Sequence, residues 1–284
     1  MKVDLHNYER KEYQSIYERY LPDLRDTKVV DTIASNSLKA QSYSQMFDQD
    51  ELNWIRGYAY TSCTVVRHND NGTVFISGNL QGVYEKFADK INSIIPGAEH
   101  SPVVGGNYFV TNDQYGLHND STRLVDWEFS CTQVPVDAEQ RRWVPWRNII
   151  IPIYVTPQNT PSDAVFFNER HIDFAHVYNH GHKGEIATTY PVARDYSQIQ
   201  FHGLDGQPID KSLNTKEYDE QHYQQYLNYT PKRRLSGLHP ELTCEWTPGC
   251  PIVFDAVQLH ATNKGRDTKW TTKMGLLLTF LKEM

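Results

Sequence analysis

Cys250-Pro251-Ile252-Val253-Phe254-Asp255-Ala256-Val257-Gln258-Leu259-His260 is a strongly apolar run that follows the turn Pro248-Gly249 and closes on a histidine. A short apolar stretch bounded by turn residues reads as a buried strand. It belongs to a wider texture. From about residue 103 onward, short β-rich runs alternate with turn residues. The candidate strands are Tyr108 to Thr111, Leu124 to Thr132, Ile149 to Val155, Ala164 to Phe167, Ile252 to Phe254 and Met274 to Leu281. Upstream, Val83, Phe87, Ile91, Ile94 and Ile95 recur at helical spacing until Pro96-Gly97 stops them, and residues 4–21 carry a rougher helical stripe. Asn69-Asp70-Asn71-Gly72 and Leu204-Asp205-Gly206-Gln207-Pro208 are turns, and Thr215 to Leu227 reads as a further helix.

These elements describe a mainly β fold, one β-sandwich or jelly roll; the order of its strands suits a double-stranded β-helix of cupin-like form. A single domain is expected over 1–284, with 1–100 as mainly helical support and 101–284 as the jelly-roll core. A polar, aromatic-rich insertion is expected at about 168–248, between late strands. The chain has 284 residues, enough for a sizeable core. Its 28 Lys+Arg against 35 Asp+Glu leave a net charge of -7, so no general attraction to nucleic acid or anionic membranes is expected. Four cysteines, Cys63, Cys131, Cys244 and Cys250, contain no CxxC pair, and no long apolar span occurs. A cytoplasmic, reducing setting is the expectation.

The chemistry concentrates in Tyr115-Gly116-Leu117-His118-Asn119-Asp120. In an extended strand, residues i and i+2 face the same side, so His118 and Asp120 can reach one metal together. With His260 they form two imidazoles and one carboxylate, a set that holds divalent iron on one face and leaves other positions open. A second triplet, His171-Ile172-Asp173, followed by His176, His180 and His182, competes for this role. His118 is preferred because counting from it leaves enough later strands to complete a barrel. There is no G-x-S-x-G elbow, Gly-rich phosphate loop or H-E-x-x-H.

The order of triplet, interior strands, apolar strand ending in His260 and final strand resembles the iron(II)/2-oxoglutarate-dependent oxygenases, most closely their phytanoyl-CoA dioxygenase-like branch. The resemblance covers roughly 105–281 and rests on a handful of positions. It implies Fe(II) held by His118, Asp120 and His260, with 2-oxoglutarate as co-substrate and dioxygen as oxidant. It further implies release of succinate and carbon dioxide as a substrate carbon is oxidised. Lys273 stands where the family usually has an arginine for the distal carboxylate of 2-oxoglutarate, and Thr262 where a hydroxyl often assists. Arg266 is the only arginine after His260, and it lies in the turn before the last strand. A lysine offers a point charge rather than a two-pronged fork. Asp120 in place of a small residue implies hydroxylation, desaturation or cyclisation rather than halogenation. Arg123, His171 and Arg170 are candidate substrate contacts. Arg194, Tyr196 and Gln200 add to a composition that suits a polar small molecule or a peptide. The competing expectation is a cupin-type metal- or ligand-binding jelly roll without oxygenase activity.

Overall fold

The computed structural model describes residues 35–68, 73–101, 104–112, 114–120, 143–157, 162–170, 217–230, 238–263 and 271–283. It also describes a few single residues and the short pieces 177–179, 186–188, 201–202 and 208–209. In chain order the strands are β1 (Gln41–Ser42), β2 (Val65–His68), β3 (Val74–Ser77), β4 (Gly105–Thr111), β5 (Tyr115–His118), β6 (Trp143–Thr156) and β7 (Asp163–Arg170). They continue with β8 (Val177–Asn179), β9 (Ile186–Thr188), β10 (Phe201–His202), β11 (Pro208–Ile209), β12 (Pro240–Glu245), β13 (Ile252–Asp255), β14 (Gln258–Thr262) and β15 (Thr272–Glu283). The helices are α1 (Gln49–Thr61), α2 (Leu80–Lys86) and α3 (Ala88–Ile94).

Two antiparallel sheets face each other, as a jelly roll requires. The larger runs β1-β13-β6-β15-β4-β3-β2, and the smaller runs β11-β10-β7-β14-β5 with β12 also on β7. Alternation along the long strands assigns the layers. On β15, Met274, Leu276, Leu278 and Phe280 join Ile149, Ile151 and Ile153 of β6 in a core shared with α1 to α3. The intervening Leu277 and Ile150 point the other way, into a core with Ala164, Phe166 and Trp246. A third cluster covers the far face of the smaller sheet, where Val165, Phe167 and Leu259 meet Tyr218, Leu227 and Leu238. Slipping β15 by one residue would swap its two buried faces, sending Met274, Leu276, Leu278 and Phe280 into the barrel and Leu277 toward the helices, with neither side packed to receive them. The register is therefore set by patterning.

Several expectations change in detail. The stripe from Val83 to Ile95 is buried as expected, but it runs through two helices. Phe87 breaks it with φ -117° and ψ 22°, and packs edge-on against both Phe47 and Trp54 at 5.5 Å. The segment read as a helix over 215–227 narrows to one turn at Glu220–His222 and a π-helical turn at Tyr223–Leu227. The expected insertion gives back β12, which pairs with β7 from Pro240↔Phe167 to Glu245↔Asp163. Support upstream of 100 is not purely helical, because β2 and β3 extend the larger sheet. Helix α1 carries an unread signal, the capping box in which Asp48 accepts from Glu51 N at 2.9 Å and Glu51 returns the bond to Asp48 N at 2.9 Å. The stripe at 4–21, the run Leu124 to Thr132 and the turn residues 69–72 lie outside the described residues. Among the described residues, no helix is long and apolar enough to cross a membrane.

A buried ion cluster closes one end of the barrel. Asp255, 1% exposed, receives the guanidinium of Arg147, Arg170 Nε at 2.8 Å and the backbone N–H of Leu38 at 3.1 Å. Arg147 also donates to Asn36 O, Arg170 Nη2 donates to Leu38 O at 2.8 Å, and Ala40 N donates to Glu241 at 2.8 Å. Segment 36–40 is thus fastened across β13 and β7. Burial is the main force lowering the Arg147 pKa, with Asp255 opposing it. Asp255→Ala leaves two buried guanidiniums without their shared anion, and should cost about 3–5 kcal/mol by urea unfolding. A loss under about 1 kcal/mol, the scale of an exposed ion pair, would contradict this view of the cluster.

Candidate metal centre

The β5–β14 ladder places His260 directly opposite His118. The two imidazoles therefore meet, with ring centroids 4.1 Å apart. Asp120 lies two residues past the end of β5, and strand geometry does not hold it there. Its backbone N–H donates to Ala256 O at 3.1 Å, in the turn between β13 and β14. Its side chain accepts from Asn148 Nδ2 of β6 at 3.0 Å. His118, Asp120 and His260 are 3%, 2% and 2% exposed.

Each ring has a defined tautomer. His118 Nδ1 lies 2.7 Å from Gly116 O, and His260 Nδ1 lies 3.0 Å from Gln258 O. A carbonyl oxygen only accepts, so each Nδ1 carries a proton and Nε2 is the ring atom positioned to hold a metal. Both Nε2 atoms face the carboxylate, His118 at 3.8 Å from Oδ1 and His260 at 3.4 Å from Oδ2. One donor atom from each residue lies within 4.8 Å of the others. Two imidazoles oriented through Nδ1, plus a carboxylate oriented by an amide, are a donor set suited to a divalent transition metal. The residues fit such an ion. Phe166 stacks on His260 at 5.5 Å and Phe254 meets it edge-on at 4.8 Å, giving the histidine an apolar collar.

The pocket over these residues is lined by Thr73, Phe75, Phe109, Thr111, Tyr115, Ile150, Trp246, Thr262 and Leu277. Thr262 thus shares the pocket with the triad, and its Oγ1 accepts from Tyr115 N at 3.2 Å. Lys273 is 3% exposed, and its Nζ donates to Ser162 Oγ and Asn263 O, each at 3.0 Å. It abuts two lining residues, Thr111 across the β4–β15 pairing and Trp246, whose ring centroid is 5.4 Å from Nζ. Arg170 is placed elsewhere. Expected among substrate contacts, it is 1% exposed and committed to Asp255, Asn168 O and Leu38 O in the ion cluster. Arg123, Arg266, His171 and the triplet His171-Ile172-Asp173 lie outside the described residues, as do Arg194, Tyr196 and Gln200. Asn148, Tyr115 and Trp246 were not anticipated. Asn148 stands beside Arg147 just before the apolar run Ile149-Ile150-Ile151, and nothing local marks any of the three as part of the site.

No protein-family model matches the chain, and no curated protein matches it in sequence. Solved structures do resemble it. The non-haem α-ketoglutarate-dependent epimerase SnoN from nogalamycin biosynthesis is 9% identical, with a TM-score of 0.40 over 90% of this chain and 84% of that one. A Pseudomonas putida prolyl-4-hydroxylase is 10% identical, with a TM-score of 0.40 over 90% and 98%. EctD from S. alaskensis is 12% identical, with a TM-score of 0.37 over 88% and 75%. Likeness at this level leaves function to the geometry of the site itself.

That geometry makes a direct prediction about metal uptake. In calorimetric titration with Mn(II) under anaerobic conditions, the protein should bind one equivalent. Asp120→Ala and His260→Ala should abolish binding, while His171→Ala should leave it unchanged. Binding lost through His171→Ala and kept in Asp120→Ala would move the centre to the rival triplet.

Proposed function

We propose that the chain is a non-haem iron(II)- and 2-oxoglutarate-dependent oxygenase of hydroxylase type, acting on a polar small molecule or a peptide. One observation carries the reading: His118, Asp120 and His260 converge, buried, with both Nε2 atoms turned toward one carboxylate. Such a triad occupies one face of an octahedral ion and leaves adjacent positions open. Bound Fe(II) would supply the redox chemistry that couples oxidative decarboxylation of 2-oxoglutarate to oxidation of a substrate carbon.

The chain's own residues do the rest. Lys273 is the proposed partner of the distal carboxylate of 2-oxoglutarate. Its buried ammonium lies 5.4 Å from the ring centroid of Trp246, which lines the pocket. Ser162 Oγ and Asn263 O orient the ammonium. A carboxylate there would receive a charge-assisted bond in a place that water barely reaches. Thr262 is proposed to add a hydroxyl on the same side of the pocket as the metal ligands. Phe75, Phe109, Ile150 and Leu277 give the pocket over the triad an apolar lining that would limit water around a bound metal and so protect the reacting groups from competing quenching. Asp120 fills the ligand position that a halide would need, which supports oxygen insertion or a related C–H oxidation.

Anaerobic mixing of the protein with Fe(II) and 2-oxoglutarate should give a visible charge-transfer band, and admitting oxygen should then give succinate. Absence of both band and succinate would sink the oxygenase reading and leave a cupin-type binding protein. Lys273→Ala should raise the KM for 2-oxoglutarate about 10- to 100-fold with iron binding intact. That range follows because a hydrogen bond to a charged group contributes roughly 1.5–3 kcal/mol and about 1.4 kcal/mol is tenfold. An unchanged KM would remove Lys273 from the proposal.

A further inference from the structure

Asn148 lies in the middle of β6, between Arg147 and the run Ile149-Ile150-Ile151, and is fully buried. Alternation puts it on the same face as Ile150, which lines the pocket over the triad. Its ladder neighbours are Phe254 on β13 and Thr279 on β15. An apolar side chain of the same size would suit this apolar strand. An amide here sacrifices hydration and must recover it through hydrogen bonds. Asn148 recovers only part. Nδ2 donates to Asp120 Oδ2 at 3.0 Å, while Oδ1 accepts no hydrogen bond. The orientation of the amide is dictated by chemistry, since a carboxylate oxygen accepts and only the NH2 end can face it. Packing alone does not explain the residue; among the described residues, its side-chain hydrogen bond goes to the carboxylate of the triad.

We infer that Asn148 is a positioning residue for the metal centre. Its amide occupies Asp120 Oδ2, so that Asp120 ligates through Oδ1 alone and a neighbouring coordination position stays open. This inference rests on the iron reading above. Without the amide, both carboxylate oxygens are available to the ion, and a two-oxygen grip would close a position that the co-substrate or dioxygen needs. Asp120 sits in a bend past the end of β5, where its backbone N–H donates to Ala256 O. The amide adds a side-chain constraint on how the carboxylate is turned.

The test is Co(II) binding, read by the visible d–d spectrum and by affinity, in the full chain and in Asn148→Leu, with His118→Ala as control. The wild type should bind one Co(II). Asn148→Leu should bind about 10- to 100-fold more weakly, the usual cost of removing a partner that orients a ligand. At saturation its d–d bands should shift and change intensity as the carboxylate turns. Thermal melting of the metal-free proteins separates this from misfolding, and Asn148→Ala is read in the same way if the leucine variant does not fold. Equal affinity and an unchanged spectrum in a folded variant would overturn the positioning role and leave the iron reading standing. A wild type no better than His118→Ala at taking up Co(II) would overturn the iron reading and, with it, this inference.

Discussion

The antiparallel register that sets His118 opposite His260 is the constraint on which the rest of the structure depends. It spans residues 142 positions apart in sequence, and only the complete smaller sheet enforces it. Strand β14 is held from both sides, by β5 on one edge and by β7 on the other. Every residue of β14 is buried. A slip of one residue would turn His260 out of the barrel and Leu259 into it. The apolar neighbours of His260, Phe166 and Phe254, therefore keep a polar residue in place by filling everything around it.

Around this register the barrel buries more polar chemistry than packing requires. At one end Asp255 gathers Arg147 and Arg170 and fastens segment 36–40. One residue along β6 from Arg147, Asn148 reaches Asp120. One residue after Asp255, Ala256 O receives the backbone N–H of Asp120. The ion cluster and the metal site thus meet at adjacent positions on β6 and at the end of β13. Buried groups of this kind cost free energy unless their partners are in place, so they make the geometry specific rather than merely stable. The lysine beside the pocket follows the same logic, its ammonium oriented by a hydroxyl and a carbonyl.

Much of the fold was legible because it is written in local periodicity. The core strands β6, β7, β13 and β15 announce themselves as apolar runs between turn residues, and the stripe Val83, Phe87, Ile91, Ile94 marks a buried helical face. His118 and Asp120 could be singled out by their spacing, and His260 by its place at the end of an apolar strand. The physical reason that places Asp120 was different, since the strand stops at His118 and the bond to Ala256 O takes over. What stayed hidden depends on long-range partners. Arg170 looks like a pocket residue until Asp255, 85 positions away, claims it. The amide of Asn148 has a purpose only once Asp120 is beside it. Strand β12 has alternating polar residues and a partly exposed surface, so it reads as part of a polar loop until it pairs with β7.

The most direct test of the central claim is a crystal of the full chain grown anaerobically with Fe(II) and measured on both sides of the iron absorption edge. The account predicts a single anomalous peak within bonding distance of His118 Nε2, His260 Nε2 and one carboxylate oxygen of Asp120, at about 2.0–2.2 Å. A peak at the histidines between 171 and 182, or none at the β5–β14 pairing, would contradict it.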